Sequence, residues 1–239
     1  MKKLLFLVFT FSLFSTGFTQ SLEEVLQNHF KTIGQEKLTA VSGYIAKGKI
    51  SQMGQSMPIK LTIMRPQSMR LEVVFQGLTL IQALDDSIGW GINPFMGDSD
   101  PQKMPEDQLK SLKVQADLDG AMYNYKDKGY TAELLPTEQV EGVDCFVVLL
   151  KKTDGDEFKI FIDKESYMIL KQVSKSTMGG NVVEMEIFPS NYKEVDGIIM
   201  AYSMEVKAGG QTVYSANFDT YELNAKIDPS ILLSLNKII

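Results

Sequence analysis

Between Ile59 and Phe75 the apolar residues fall largely on odd positions, namely Ile59, Leu61, Ile63, Met69, Leu71, Val73 and Phe75. Lys60, Thr62, Arg70 and Glu72 stand between them. A side-chain period of two is the mark of strands with one apolar and one wet face. Such a chain must find something to cover the apolar face. The turn Arg65-Pro66-Gln67-Ser68 divides the stretch. Pro66 fixes its own φ and biases Arg65 towards an extended conformation, which puts Arg65 at a strand end near the rim of the sheet. Strands are expected near 39–52, 57–65, 69–76, 78–84 and 88–92.

After Gly129 the sequence becomes a series of hairpins, punctuated by Glu141-Gly142, Asp154-Gly155, Lys164-Glu165, Gly179-Gly180, Asp196-Gly197 and Gly209-Gly210. About eleven strands joined by short turns predict an antiparallel meander, and twist curls a meander of that length into a barrel or half-barrel. Two helices are predicted. The first opens with the capping box Ser21 and Glu24, carries Leu22, Val25, Leu26, His29 or Phe30, and Ile33 at helical spacing, and stops at Gly34. The second runs from Pro105 to Gln115, with a further short segment at Ala116 to Tyr123, and reads as a lid over the sheet. The fold class is therefore mainly β (α+β): a curved antiparallel sheet forming an incomplete β-barrel, with an N-terminal helix and a mid-chain helical lid. No linker or repeat divides residues 20–239, which read as one domain.

Residues 1–19 read as a signal peptide: Lys2-Lys3, an apolar run from Leu4 to Phe14, then small residues before Thr19. That run is too short to span a bilayer. Removing Lys2 and Lys3 from the 24 basic residues leaves 22 against 30 acidic ones. This balance excludes the clustered basic patch that nucleic acid requires. The lone cysteine, Cys145, lies deep in the chain; it can neither follow a lipoprotein signal nor form an internal disulfide, and reads as an inert strand thiol.

No arrangement of residues points to catalysis, a metal or a cofactor. His29 is the only histidine, and it reads as a helix-face residue. Asp85 and Asp86 are adjacent in a turn and would not share a strand face. Gly89-Trp90-Gly91 has no helix after it to hold phosphate. The 13 methionines are suited to filling a core, and also to lining adaptable apolar surfaces.

Lys60-Leu61-Thr62-Ile63-Met64-Arg65-Pro66, followed by Met69-Arg70-Leu71, resembles the strand-turn-strand of the LolA/LolB outer-membrane lipoprotein carriers. The segment Leu84 to Phe95 resembles that family's Asp-Gly-x-x-x-Trp-x-x-x-Pro pattern, with Asp86 where glycine is usual. The hairpin from Ile160 to Leu170 adds a weaker likeness. The resemblance implies a half-open barrel whose cavity holds acyl chains, with Arg65 latching the lid. It implies a cavity lined by Ile59, Leu61, Ile63, Met69, Leu71, Val73, Phe75, Trp90 and Ile92. The implied function is that of a monomeric, non-enzymatic periplasmic carrier. Its partners would be lipidated proteins or lipid acyl chains, handed between inner- and outer-membrane lipoprotein-sorting machinery. The alternative is an envelope protein-interaction or sensor module with a closed, dry core.

Overall fold

The computed structural model describes residues 20–85, 88–98, 100–153, 155, 157–178 and 181–232. The expected signal segment and the turn residues Asp86, Asp154, Asp156, Gly179 and Gly180 lie outside them. Thirteen strands make one sheet: β1 Gly43–Gln52, β2 Gln55–Met64, β3 Ser68–Phe75, β4 Leu78–Asp85, β5 Ile88–Ile92, β6 Gln102–Lys103, β7 Tyr130–Val140, β8 Val143–Lys152, β9 Glu157–Asp163, β10 Ile169–Met178, β11 Asn181–Val195, β12 Ile198–Ala208 and β13 Gln211–Leu223. Their spatial order is β6-β5-β4-β3-β2-β1-β13-β12-β11-β10-β9-β8-β7, and the sheet does not close into a barrel. It is the incomplete barrel that the hairpin series predicts.

Both free edges are guarded. β6 is two residues long, and β7 carries Pro136 at a break in register between Leu135 and Glu138. Short strands, proline and bulges are what keep an open edge from pairing with another chain.

Helix α1 (Leu22–Ile33) forms where the capping box predicts it. The Glu24 N–H donates to Ser21 Oγ at 3.3 Å, and the Ser21 N–H donates to Glu24 Oε2 at 2.8 Å. Gly34 ends the helix at φ +74°, a conformation glycine adopts without steric cost. Val25, Leu26 and His29 are buried, and the helix packs in one apolar cluster with Val148 and Leu150 of β8 and Ile160 and Ile162 of β9. The imidazole of His29 is thus a core group whose Nδ1 donates to the Tyr167 carbonyl at 2.8 Å.

The strand expected from 39 begins only at Gly43, because Gln35–Thr39 forms a short helix, α2. The Thr39 hydroxyl donates to the Glu36 carbonyl at 2.7 Å and closes that turn. The lid helix α3 spans Glu106–Ala116, with Pro105 capping it from outside. The further helical segment predicted for 116–123 is a chain of turns instead. Asp117 leaves α3 in an extended conformation with ψ 94°, and turns continue to Gly129. Leu118 and Met122 are nonetheless buried, so apolar spacing there records packing by a loop. The connection from β6 to β7 starts at one free edge of the sheet and ends at the other, and α3 within it packs on β3, β4 and β5.

Candidate ligand cavity

The register of β2, β3 and β4 sets the site. Ile59 pairs with Val73, Leu61 with Leu71 and Ile63 with Met69; across β3, Val73 faces Leu80, Leu71 faces Gln82 and Met69 faces Leu84. Paired residues share a face, so these side chains form three rows on the inner face, apolar throughout except for Gln82. On the outer face Lys60, Arg70 and Glu72 meet, with Lys60 Nζ 3.6 Å and Arg70 Nη2 2.9 Å from the Glu72 carboxylate.

The rows part ways along the strands. Ile63, Met69 and Leu84 lie beneath α3, sealed against Leu112 and Ala116, and Met69 is 1% exposed. They are on the expected face but belong to the packed core, because the lid fills the space above them. The rows at Ile59, Leu61, Leu71 and Val73 are left uncovered and, with Phe75, line a cavity of about 550 Å³. That volume lies within the ordinary range for small-molecule sites. Ile50, Met53, Met57, Leu80 and Phe95 extend it, and Met204, Tyr214, Ala216 and Phe218 form the facing wall from β12 and β13. Its polar lining is four neutral glutamines, Gln52, Gln55, Gln82 and Gln115, with Tyr214; among the described residues no charged side chain lines it.

Trp90 and Ile92 are not part of this cavity, contrary to expectation. Trp90 pairs with Ala83 and Ile92 with Ile81, and those positions continue the outer rows through Arg70 and Glu72. The inward positions of β5 are Gly89 and Gly91. A Cβ on Gly89 would stand 2.9 Å from Leu109 Cδ1, and one on Gly91 would stand 3.2 Å from Met104 Cε. The two glycines let the lid sit directly on backbone, and their alternation turns the tryptophan outward. There its indole Nε1 donates to the Leu232 carbonyl at 2.8 Å, with the Arg70 guanidinium 5.6 Å from the ring centroid.

Arg65 directly follows β2, and its peptide bond to Pro66 is cis. Its guanidinium donates from Nη1 and Nη2 to the two carboxylate oxygens of Asp119, each at 2.6 Å. Nε reaches the Val41 carbonyl at 2.7 Å and Nη2 the Leu38 carbonyl at 3.0 Å. One rigid fork thereby ties the sheet to the end of α2 and to the loop after α3. The hydrogen-bonded Asp119 carboxylate raises the Arg65 pKa further above its already high range, and burial opposes this. Lys128 Nζ donates to Asp117 Oδ2 at 2.6 Å and braces the same loop, while Gln67 Nε2 donates to the Lys113 carbonyl in the last turn of α3 at 3.0 Å. The partner that Arg65 finds in the loop after the lid helix is thus a carboxylate.

The wall from β12 and β13 was not assigned to a site from the sequence. Its signal is the period-two run Tyr214, Ala216, Phe218, which reveals a strand face without saying what that face adjoins. Among the described residues no group of three or more His, Cys, Asp or Glu side chains could hold a metal ion. Cys145 is buried, and burial pushes its thiol pKa up, away from reactivity.

No family model and no curated protein matches this chain. Solved structures do. A LolA superfamily protein from Nitrosomonas europaea matches with a TM-score of 0.61 at 10% identity, over 90% of this chain and 99% of that one. A putative outer membrane lipoprotein-sorting protein domain from Vibrio parahaemolyticus gives 0.59 at 14% identity, over 91% and 99%. A DUF1329 family protein from Desulfovibrio piger gives 0.59 at 12% identity, over 87% and 97%. The likeness first read from the Arg-Pro turn and the tryptophan segment is met by the whole architecture: this chain has the LolA-like fold.

Proposed function

We propose that the protein is a periplasmic carrier that holds acyl chains, of a lipid or of a lipidated protein, in the cavity between β1–β4 and β12–β13. The observation that carries this reading is an uncovered apolar cavity of about 550 Å³ with no charged lining residue among those described, on a fold shared with a lipoprotein-sorting domain. Each buried methylene contributes about 0.8 kcal/mol, so acyl chains would bind without any dedicated polar site. The flexible Met53, Met57 and Met204 in the lining suit chains of varying shape. Arg65 serves as the latch that holds the loop after α3 against the sheet. The carrier works as a monomer between inner- and outer-membrane sorting partners, without a chemical step.

The test is native mass spectrometry of protein taken from its own host, together with uptake of a fluorophore-labelled fatty acid. Retained lipid or lipidated protein, and saturable uptake, are expected. Apo protein that takes up no acyl probe refutes the reading and leaves the interaction-module alternative.

A further inference from the structure

Charged residues make up 23% of this chain, yet among the described residues four stretches of ten or more contain none: 50–59, 73–84, 88–97 and 208–218. Strand pairing brings them to one place. Alternate turns of a meander share an end, so the β1–β2 turn at Met53-Gly54, the β3–β4 turn at Gln76-Gly77 and the segment after β5 lie together. The Ser51 to Ser215 pair sets the β12–β13 turn at Gly209-Gly210 beside them. The opposite end of the sheet carries Arg65, Asp85, Asp163, Lys164 and Asp196.

Seven large hydrophobic residues stand exposed among the described residues, and five belong to this charge-free rim. They are Met53 at 95%, Met96 at 80%, Leu78 and Phe95 at 46%, and Val74 at 39%. The rim is also the mouth of the cavity. Met53, Phe75 and Phe95 line the cavity, and the Phe75 and Phe95 rings lie 5.6 Å apart.

We propose that this rim docks the protein shallowly on the surface of a neutral, zwitterionic lipid bilayer, with the cavity mouth facing the lipid. Charge selects the occupant. Residues 20–239 carry 22 basic against 30 acidic side chains, so anionic lipid repels the molecule as a whole. A rim without charged groups enters the headgroup layer without the desolvation cost that charged side chains incur there. The apolar tips are spread over separate turns between glutamine, serine, asparagine and glycine. A protein partner calls instead for a packed centre of aromatic residues and arginine with shape complementarity, whereas a bilayer interface accepts scattered apolar tips.

This inference rests on the carrier reading, and the two fail separately. The measurement is co-flotation of the full chain with phosphatidylcholine/phosphatidylethanolamine vesicles, alongside uptake of the labelled fatty acid in vesicle-free solution. Flotation is expected, and it should persist when NaCl is raised from about 50 to about 500 mM, since no ion pairs are involved. Leu78→Asp and Met96→Asp alter rim residues outside the cavity lining, and each should weaken flotation about tenfold while uptake stays unchanged. Met96, in an exposed turn, keeps the test decisive if Leu78→Asp fails to fold. Absence of flotation, flotation only with anionic vesicles, flotation only when membrane proteins are present, or full flotation of both variants overturns the docking proposal. Flotation without any acyl uptake overturns the carrier reading and leaves the docking surface standing.

Discussion

Replacing Arg65 by methionine keeps the apolar stem of the side chain and removes the fork. Four hydrogen bonds are lost at once: two to the Asp119 carboxylate and one each to the Leu38 and Val41 carbonyls. The two side chains of the ion pair are 28% and 17% exposed. The loss should therefore exceed that of a surface pair, about 0–1 kcal/mol, and stay below the upper end of the 3–5 kcal/mol typical of breaking a buried one. About 2–4 kcal/mol is the expected cost. Asp119→Asn, which retains one acceptor, should cost about 1–2 kcal/mol. The double variant should reveal a coupling of about 1.5–3 kcal/mol. If Arg65 is a latch, the cost falls on the loop rather than on the sheet. Hydrogen–deuterium exchange in a peptide covering 117–129 should quicken by about 30- to 1000-fold, while β8 and β9 stay protected. Equal quickening of loop and sheet would make Arg65 a general stabilising residue, and unchanged exchange in the loop would refute the latch outright.

Leu71→Asp places a carboxylate in the middle row of the cavity wall; it should reduce fatty-acid uptake by at least about tenfold while the circular dichroism spectrum is retained, and unimpaired uptake would remove Leu71 from the site. Trp90→Phe deletes the donor to the Leu232 carbonyl; it should lower stability by about 1–2 kcal/mol and leave uptake untouched, whereas lost uptake would contradict an outward Trp90. Burial holds the His29 imidazole pKa below its ordinary value, against the raising effect of its bond to the Tyr167 carbonyl. The unfolded chain, with a pKa of about 6.5, therefore binds the proton first as pH falls. Its stabilising contribution is complete above about pH 6.5 and declines as pH drops below that value. Denaturant titrations between about pH 7.5 and 5.5 should show this decline in the parent and a flatter profile in His29→Gln; identical profiles would refute it.

Where alternation is carried by large side chains, sequence and structure agree closely. Odd residues of β2 and β3 point inward because both strands are long, regular and joined by a short turn. The same rule extended into β5 misleads, since the inward positions there are Gly89 and Gly91, which have no side chain to announce a face. Small residues flanking a tryptophan are the mark of a surface against which another element lies close, and here that element is the lid. Ile63 and Met69 were legible as inward-facing but not as covered, because covering depends on where α3, far along the chain, comes to rest. The far wall at Met204 and Ala216 adjoins Ile59 only through the β1–β13 pairing, and no local pattern encodes it. The carboxylate partner of Arg65 was hidden for a related reason: Asp119 sits in a loop whose path is set by burial of Leu118 and Met122.

The strand order has a consequence for how this protein comes together. Every neighbour pair in the sheet is consecutive in sequence except one, β1 with β13. Two arms of local hairpins can each be assembled quickly, whereas joining Tyr44 to Leu223 must close a loop of about three quarters of the chain, the slow and entropically costly event. That seam runs through the cavity: Ala46 and Ile59 on one arm pack with Ala216 and Phe218 on the other. A molecule with its seam unjoined has all its hairpins and no container. Competence to hold a ligand is thus the last property the chain acquires, and an occupant touching both walls would act as a clasp on the seam itself.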